Sequence, residues 1–214
     1  MDFWQWWRSS DAVMQAAALT LLVMSVASWV AMLWKLRLLT RARADLPRSL
    51  AAFWQAPVWL QAHTAVAPFD RDAWLLPLIH AAQAASHATP TQSPRAAHAT
   101  RLLRTALGQA VARLQAGQVV LATVGATAPF VGLLGTVWGI HHALAAMAGS
   151  GQISVERLAG PVGEALIMTA AGLAVAIPAV LGYNVLGRRV AQIEAELEGF
   201  AHDLLALCAP GGPA

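Results

Sequence analysis

One cysteine, Cys208, stands in 214 residues. An intrachain disulfide and a cysteine metal cluster are therefore excluded. Charge is also scarce: Asp, Glu, Lys and Arg make up 12% of the chain, about half the share of an ordinary soluble domain. There is no P-loop, no GxGxxG, no HExxH and no CxxC, which removes the commonest nucleotide, zinc-protease and redox signatures. His63, His80, His87 and His98 are too scattered for metal-ligand spacing. Neither an internal repeat nor an alternating β pattern is visible. No enzyme activity, metal or cofactor is expected.

What the chain has instead is long apolar runs. Hydrophobic residues make up 57% of it, and about 20 consecutive apolar residues suffice to span a bilayer. Asp11 and Lys35 enclose 23 uncharged residues, and Arg113 and Glu156 enclose 42. A third run, Leu158–Gly187, carries one charge in 30 residues. Three transmembrane helices follow, at 12–34, within 114–148, and at 158–187. The middle stretch exceeds a bilayer, so its membrane part is placed near Val119–Met147 and the rest in water. Span one has neither the basic n-region nor the short apolar core of a signal peptide, so it reads as an uncleaved anchor.

Charge orients the spans. Lys35, Arg37, Arg41, Arg43 and Arg48 follow span one, and Arg188 and Arg189 follow span three. The positive-inside rule puts both clusters in the cytoplasm. Net charge of +3 is thus a topology signal rather than a nucleic-acid footprint. Residues 1–11, with Trp4, Trp6 and Trp7, are expected as an interfacial segment outside, and 149–157 as an outer turn. Residues 35–113 form a cytoplasmic helical loop, with helical spacing over 48–65 and 72–87, interruptions at its prolines (Pro47 among them), and an ATPTQSP loop at 88–94. Leu103, Leu107, Val111 and Leu114 recur at helical spacing, with no turn signal before span two, so one helix is expected from Arg95 into the membrane. Val190, Ile193, Leu197, Phe200 and Leu204 extend span three into the cytoplasm as part of a 188–214 C-terminal helix and tail. The fold class is an all-α membrane protein with three transmembrane helices and long cytoplasmic helical extensions.

The one charge in span three is Glu164. An acidic group in hydrocarbon is costly, and it marks an ion or proton path more often than a structural contact. Burial favours the neutral carboxyl, which suits a group that loads and releases a proton. Thr136 and Thr169 are the nearby polar candidates, set against the plain reading of a hydroxyl bonded to its own helix one turn back. Span two carries Gly125, Gly132, Gly135 and Gly139 at steps of three and four, a small-residue stripe for close helix packing. Span three is small on more than one face, which suggests more neighbours than a lone chain offers, hence an oligomer. Pro129, Pro161 and Pro178 read as kinks or a helix start. His141 and His142 lie toward the outer end of span two, as surface residues or a possible proton entry. A structural scaffold, with Glu164 as an oligomer contact, is the competing class. A solute transporter would show duplicated halves, and three spans show none.

The segments LATVGATAPFVGLLGTVWGI, from Leu121 to Ile140, and GPVGEALIMTAAGLAVAIPAVLGYN, from Gly160 to Asn184, resemble the MotA/TolQ/ExbB proton-channel family. SVASWVAMLWKLRLL in span one is most similar to the family's ExbB branch, with the TolQ branch second. The resemblance implies a bacterial inner-membrane channel subunit driven by the proton motive force, without a cofactor. It implies a homopentamer around paired transmembrane helices of a single-span ExbD-like protein. A TonB-like protein would carry the movement to outer-membrane transporters. The family's pore Glu maps onto Glu164, and its second- and third-span Thr map onto Thr136 and Thr169. His141 and His142 depart from the apolar or amide residues expected there.

Overall fold

The computed structural model describes residues 11–87, 95–150 and 155–208. Trp4, Trp6 and Trp7, the ATPTQSP loop, residues 151–154 of the outer turn and the end of the tail lie outside them. The described residues form six α-helices and no strand: α1 Ala12–Trp54, α2 Ala62–Val66, α3 Leu76–His87, α4 Arg95–Gln115, α5 Gln118–Ser150 and α6 Val155–Leu207, with a short 3-10 turn at Trp59–Gln61 before α2. Three of them, α1, α5 and α6, are long and apolar enough to cross a membrane. The protein is an all-α, three-span membrane protein.

Two helices run far beyond a bilayer's thickness. At 43 and 53 residues, α1 and α6 measure about 65 and 80 Å at 1.5 Å per residue, against a hydrocarbon core of about 30 Å. Pro47 was expected to interrupt the loop, yet α1 continues through it. A proline inside a helix removes one backbone bond. Here the nearby residues Leu46 and Phe53 are almost wholly buried, and that packing offsets the lost bond.

The chain divides into two compact units, residues 1–34 with 117–185, and residues 35–116 with 186–214. The first is the membrane unit. Its core joins Met14, Ala17 and Leu21 of α1 to Val124 and Ala128 of α5 and to Met168, Ala176 and Ala179 of α6. Large apolar side chains such as Leu22, Val30, Phe130, Val137, Ile167 and Leu181 point outward. Outward apolar side chains suit a lipid or protein surround rather than water.

The second unit is a bundle with an ordinary aqueous pattern. Leu186, Val190, Ile193, Leu197, Phe200 and Leu204 line its core from α6, so the expected stripe is the buried face. On α4 the buried face is Ala99, Leu103, Ala106, Ala110 and Leu114, while Leu107 and Val111 are half-buried at its margin. Phe53 of α1 meets Phe200 of α6 edge to face at 4.9 Å.

Helices α4 and α5 are separate, contrary to the single helix expected from Arg95. Gly117 has φ +81°, the left-handed conformation that terminates helices and favours glycine. A Cβ there would lie 3.4 Å from the Trp34 ring. The AG dipeptide at 116–117 was the overlooked turn signal.

Candidate functional site

Close approach of α5 and α6 builds the site. A Cβ on Gly132 would lie 2.7 Å from the Met168 carbonyl oxygen, and one on Gly172 would lie 2.7 Å from that of Ala128. The two glycines face each other at the point of closest approach. Gly135 abuts the Met168 side chain, Gly139 abuts Met14 and Ala165, and Gly125 abuts Val180. All four span-two glycines therefore meet atoms of their own chain. By themselves they give no reason to invoke a second copy.

Beside that crossing lies Thr136, 7% exposed. Its Oγ1 sits 3.1 Å from the Gly132 carbonyl and 3.0 Å from the Ala165 carbonyl of the facing helix. It also hydrogen-bonds Oγ1 of Thr169. One hydroxyl has a single proton to donate and two lone pairs. Thr136 therefore donates to a carbonyl and accepts from Thr169, or donates to Thr169 and releases the carbonyl. The pair has two hydrogen-bond polarities within one arrangement of heavy atoms. The plain expectation, a hydroxyl satisfied on its own helix, describes only the Gly132 contact.

Glu164 immediately precedes Ala165, whose carbonyl Thr136 contacts. Its side chain is half-buried, and among the described residues it has no hydrogen-bond or ion-pair partner. Thr136 and Thr169 are thus brought together, and Glu164 flanks them without bonding to either. Thr169 lies about 7–8 Å further along α6 than Glu164. Nearby Gly163 has open space where a Cβ would be, about 100° around α6 from Glu164.

The histidines belong to another cluster. His141 lies against the Trp138 ring with centroids 5.8 Å apart. Trp138 donates its indole N–H to Asp11 at 2.7 Å, and Asp11 also accepts the Ala12 N–H at 2.7 Å. These bonds, with a smaller contribution from His142, hold the Asp11 carboxyl below its usual range. The cluster caps α1 and makes no recorded contact with Glu164. An apolar groove of about 260 Å³ lies between Leu121, Gly125, Val180 and Tyr183. It carries no charged side chain and sits about 24 Å along α6 from Glu164. Among the described residues, no group of three His, Cys, Asp or Glu side chains is placed to hold a metal ion.

Residues 76–199, which include the helices that carry Glu164, Thr136 and Thr169, match the sequence profile of the MotA/TolQ/ExbB proton channel family. The chain belongs to that family. It is 41% identical over 208 residues to a biopolymer transport protein ExbB of Xanthomonas campestris pv. campestris, covering 90% of this chain and 80% of that one. It is 54% identical over 102 residues to an ExbB of Neisseria gonorrhoeae, 48% of this chain and 46% of that one. A Tol-Pal system protein TolQ of Pseudomonas aeruginosa is 30% identical over 212 residues, 96% of this chain and 92% of that one. The ExbB likeness is the stronger of the two over nearly the whole chain. Within this proton-channel family, the chain is a multi-pass inner-membrane protein.

The sequence reading took Lys35 only as a basic flank of span one and missed its buried role. Lys35 is the only lysine of the chain and is completely buried. Its ammonium donates to the Leu114 carbonyl and, at 2.7 Å, to that of Ala116. These are free carbonyls at the end of α4, where the helix dipole favours a cation. Burial pushes the Lys35 pKa down to about 8. A sole lysine among fourteen Lys and Arg, at the close of a span, was the available signal. Asp70 plays the corresponding part at the start of α3. Its carboxylate accepts the N–H groups of Trp74, Leu75 and Leu76 at 2.7–2.8 Å.

Proposed function

We propose that the chain is the proton-channel (stator) subunit of an ExbB–ExbD–TonB-type inner-membrane motor, using the proton motive force to energise outer-membrane uptake. The observation that carries this reading is the Thr136–Thr169 hydroxyl pair next to Glu164, on the two helices with the family's sequence pattern. The carboxyl loads and releases the proton, and the hydroxyls conduct or orient it. No bond of a substrate is made or broken, so the activity is transport rather than catalysis, and no cofactor is needed.

The open space at Gly163, the residue before Glu164, suits a partner helix bearing its own acid, as in a single-span ExbD-like protein. A homo-oligomer, a pentamer by family likeness, surrounds that helix, and a TonB-like protein transmits the movement. The outward apolar side chains of the membrane unit support such an assembly within lipid. The basic residues that follow spans one and three support a periplasmic N-terminus and a cytoplasmic C-terminus.

Glu164→Gln is nearly isosteric and cannot ionise. In a strain lacking its own subunit, it is expected to co-purify with the single-span partner yet abolish energy-dependent uptake of an iron chelate. Wild-type uptake by this variant would exclude an obligatory proton role. Loss of both uptake and assembly would favour a scaffold. The TolQ likeness supports a second reading, a Tol-Pal subunit. Rescue of envelope integrity, without rescue of iron uptake, would select it.

A further inference from the structure

The second unit exposes two faces of opposite charge. Between Arg95 and Gln115, α4 contains no acidic residue. Beyond Arg189, α6 contains no Lys or Arg but has Glu194, Glu196, Glu198 and Asp203. On α4, Arg101, Arg104 and Gly108 share one exposed face, and on α6, Glu196, Gly199 and Asp203 do. Arg101 lies 3.1 Å from Nδ1 of His98 and, among the described residues, pairs with no carboxylate. Among the described residues, Arg104, Glu196 and Asp203 have no partner, and the recorded ion pair, Arg71–Asp45, lies elsewhere.

Each face also carries a glycine that the chain's own packing does not explain. Nothing lies within 4 Å of where a Cβ on Gly108 or on Gly199 would be. A glycine within an exposed helix is less favourable than alanine. Among the described residues, the elements that pack on these helices meet their opposite sides, so the glycines leave room for a backbone from outside the chain.

The two faces are in register. Lys35 touches the end of α4, and Arg43, eight residues further along α1, bonds Gln192 of α6. Ala116 and Leu186 therefore mark the same end of the unit. Counted from them at 1.5 Å per residue, Arg104 lies at about 18 Å and Glu196 at about 15 Å, while Arg101 lies at about 22 Å and Asp203 at about 26 Å. Opposite charges fall within about one helical turn of each other twice over. The exposed arginines of α1 are the other basic face available, but α1 has no glycine to admit a neighbour closely.

We propose that the Arg101–Arg104–Gly108 face of α4 docks on the Glu196–Gly199–Asp203 face of α6 from a second copy of this chain. The contact is head-to-tail, the kind that closes into a ring when its rotation permits. Its charges set register and partner choice more than affinity, because exposed ion pairs are individually weak. This rests on the homo-oligomer reading above and adds to it a cytoplasmic interface separate from the membrane helices.

The test is oxidative cross-linking of the full chain in native membranes, in a Cys208→Ala background carrying Gly108→Cys and Ala195→Cys. These positions lie at about 12 and 14 Å on the same count, and a disulfide needs Cα atoms about 4.4–6.8 Å apart. A ladder of multimers is expected on a non-reducing gel, weakening as salt rises. Arg104→Glu added to the pair should remove most of the ladder, and Arg104→Glu with Glu196→Arg should restore it. An oligomer by light scattering without a ladder, or with only a disulfide inside one chain, overturns this interface and leaves the oligomer reading standing. A monomer by light scattering overturns both. A ladder unaffected by Arg104→Glu removes the charge pairing that defines the proposal.

Discussion

Replacing Gly132 with alanine adds a single methyl group where α5 and α6 approach most closely. The new Cβ would lie 2.7 Å from the Met168 carbonyl oxygen, 3.1 Å from Cα of Gly172 and 3.2 Å from Cα of Thr169. All three are backbone atoms, so no side-chain rotation relieves the clash. A carbon–oxygen contact relaxes at about 3.3–3.6 Å, so the helices must separate by at least about 0.6 Å. That movement stretches the Thr136–Ala165 bond from 3.0 Å to about 3.6 Å, where it ceases to be a hydrogen bond. Overpacking costs about 1–3 kcal/mol and the lost bond about 1 kcal/mol. Better helix propensity returns about 1 kcal/mol. The net expectation is a loss of about 1–3 kcal/mol. It can be read by denaturing the purified protein in detergent, with Gly163→Ala, which has open space around it, as the control. Energy-dependent uptake should fall as well, because the hydroxyl track is strained. Equal unfolding midpoints for wild type, Gly132→Ala and Gly163→Ala would refute the claim that α5 and α6 meet backbone to backbone at this point.

Four further outcomes follow from the same structure. Thr136→Val keeps the shape but leaves Thr169 without its hydroxyl partner, so uptake should drop on the order of tenfold, one hydrogen bond's worth, with expression unchanged. Thr169→Ser, which retains a hydroxyl, should stay near wild type in the same uptake assay. Lys35 has a folded pKa of about 8, below its ordinary 10.5. Between those values the unfolded chain holds a proton that the folded chain has lost, so stability attributable to Lys35 rises with pH through that window. The neutral amine still donates to both carbonyls, and subtracting the unfolding profile of Lys35→Met from wild type should isolate this slope; a flat difference would contradict the burial. Asp70→Asn keeps one acceptor oxygen where the carboxylate serves three N–H groups. It should lower stability by about 1.5–3 kcal/mol in a thermal melt, and an unchanged melt would show that the cap contributes nothing.

The sequence by itself determined the number of spans, the helical class, the family and the lone acid. Each follows from a one-dimensional signal: a charge-free run of bilayer length, a 3.6-residue apolar period, or the high cost of Glu164 in hydrocarbon. It also carried the core stripe of α6, because a helix bordering water must segregate its apolar residues. The same logic misplaced one boundary. Apolar periodicity runs across residues 116–117, and the φ of Gly117 overrides it. Only the tertiary structure decided where the glycines of span two are used. Small residues permit close approach to any neighbour, and atoms of α1 and α6 fill that space within the chain. Tertiary structure likewise joined Thr136 to Thr169, 33 residues apart, and set Lys35 against carbonyls 79 and 81 residues away. Such pairings depend on which helix faces meet, and facing is a property of packing that no local pattern encodes.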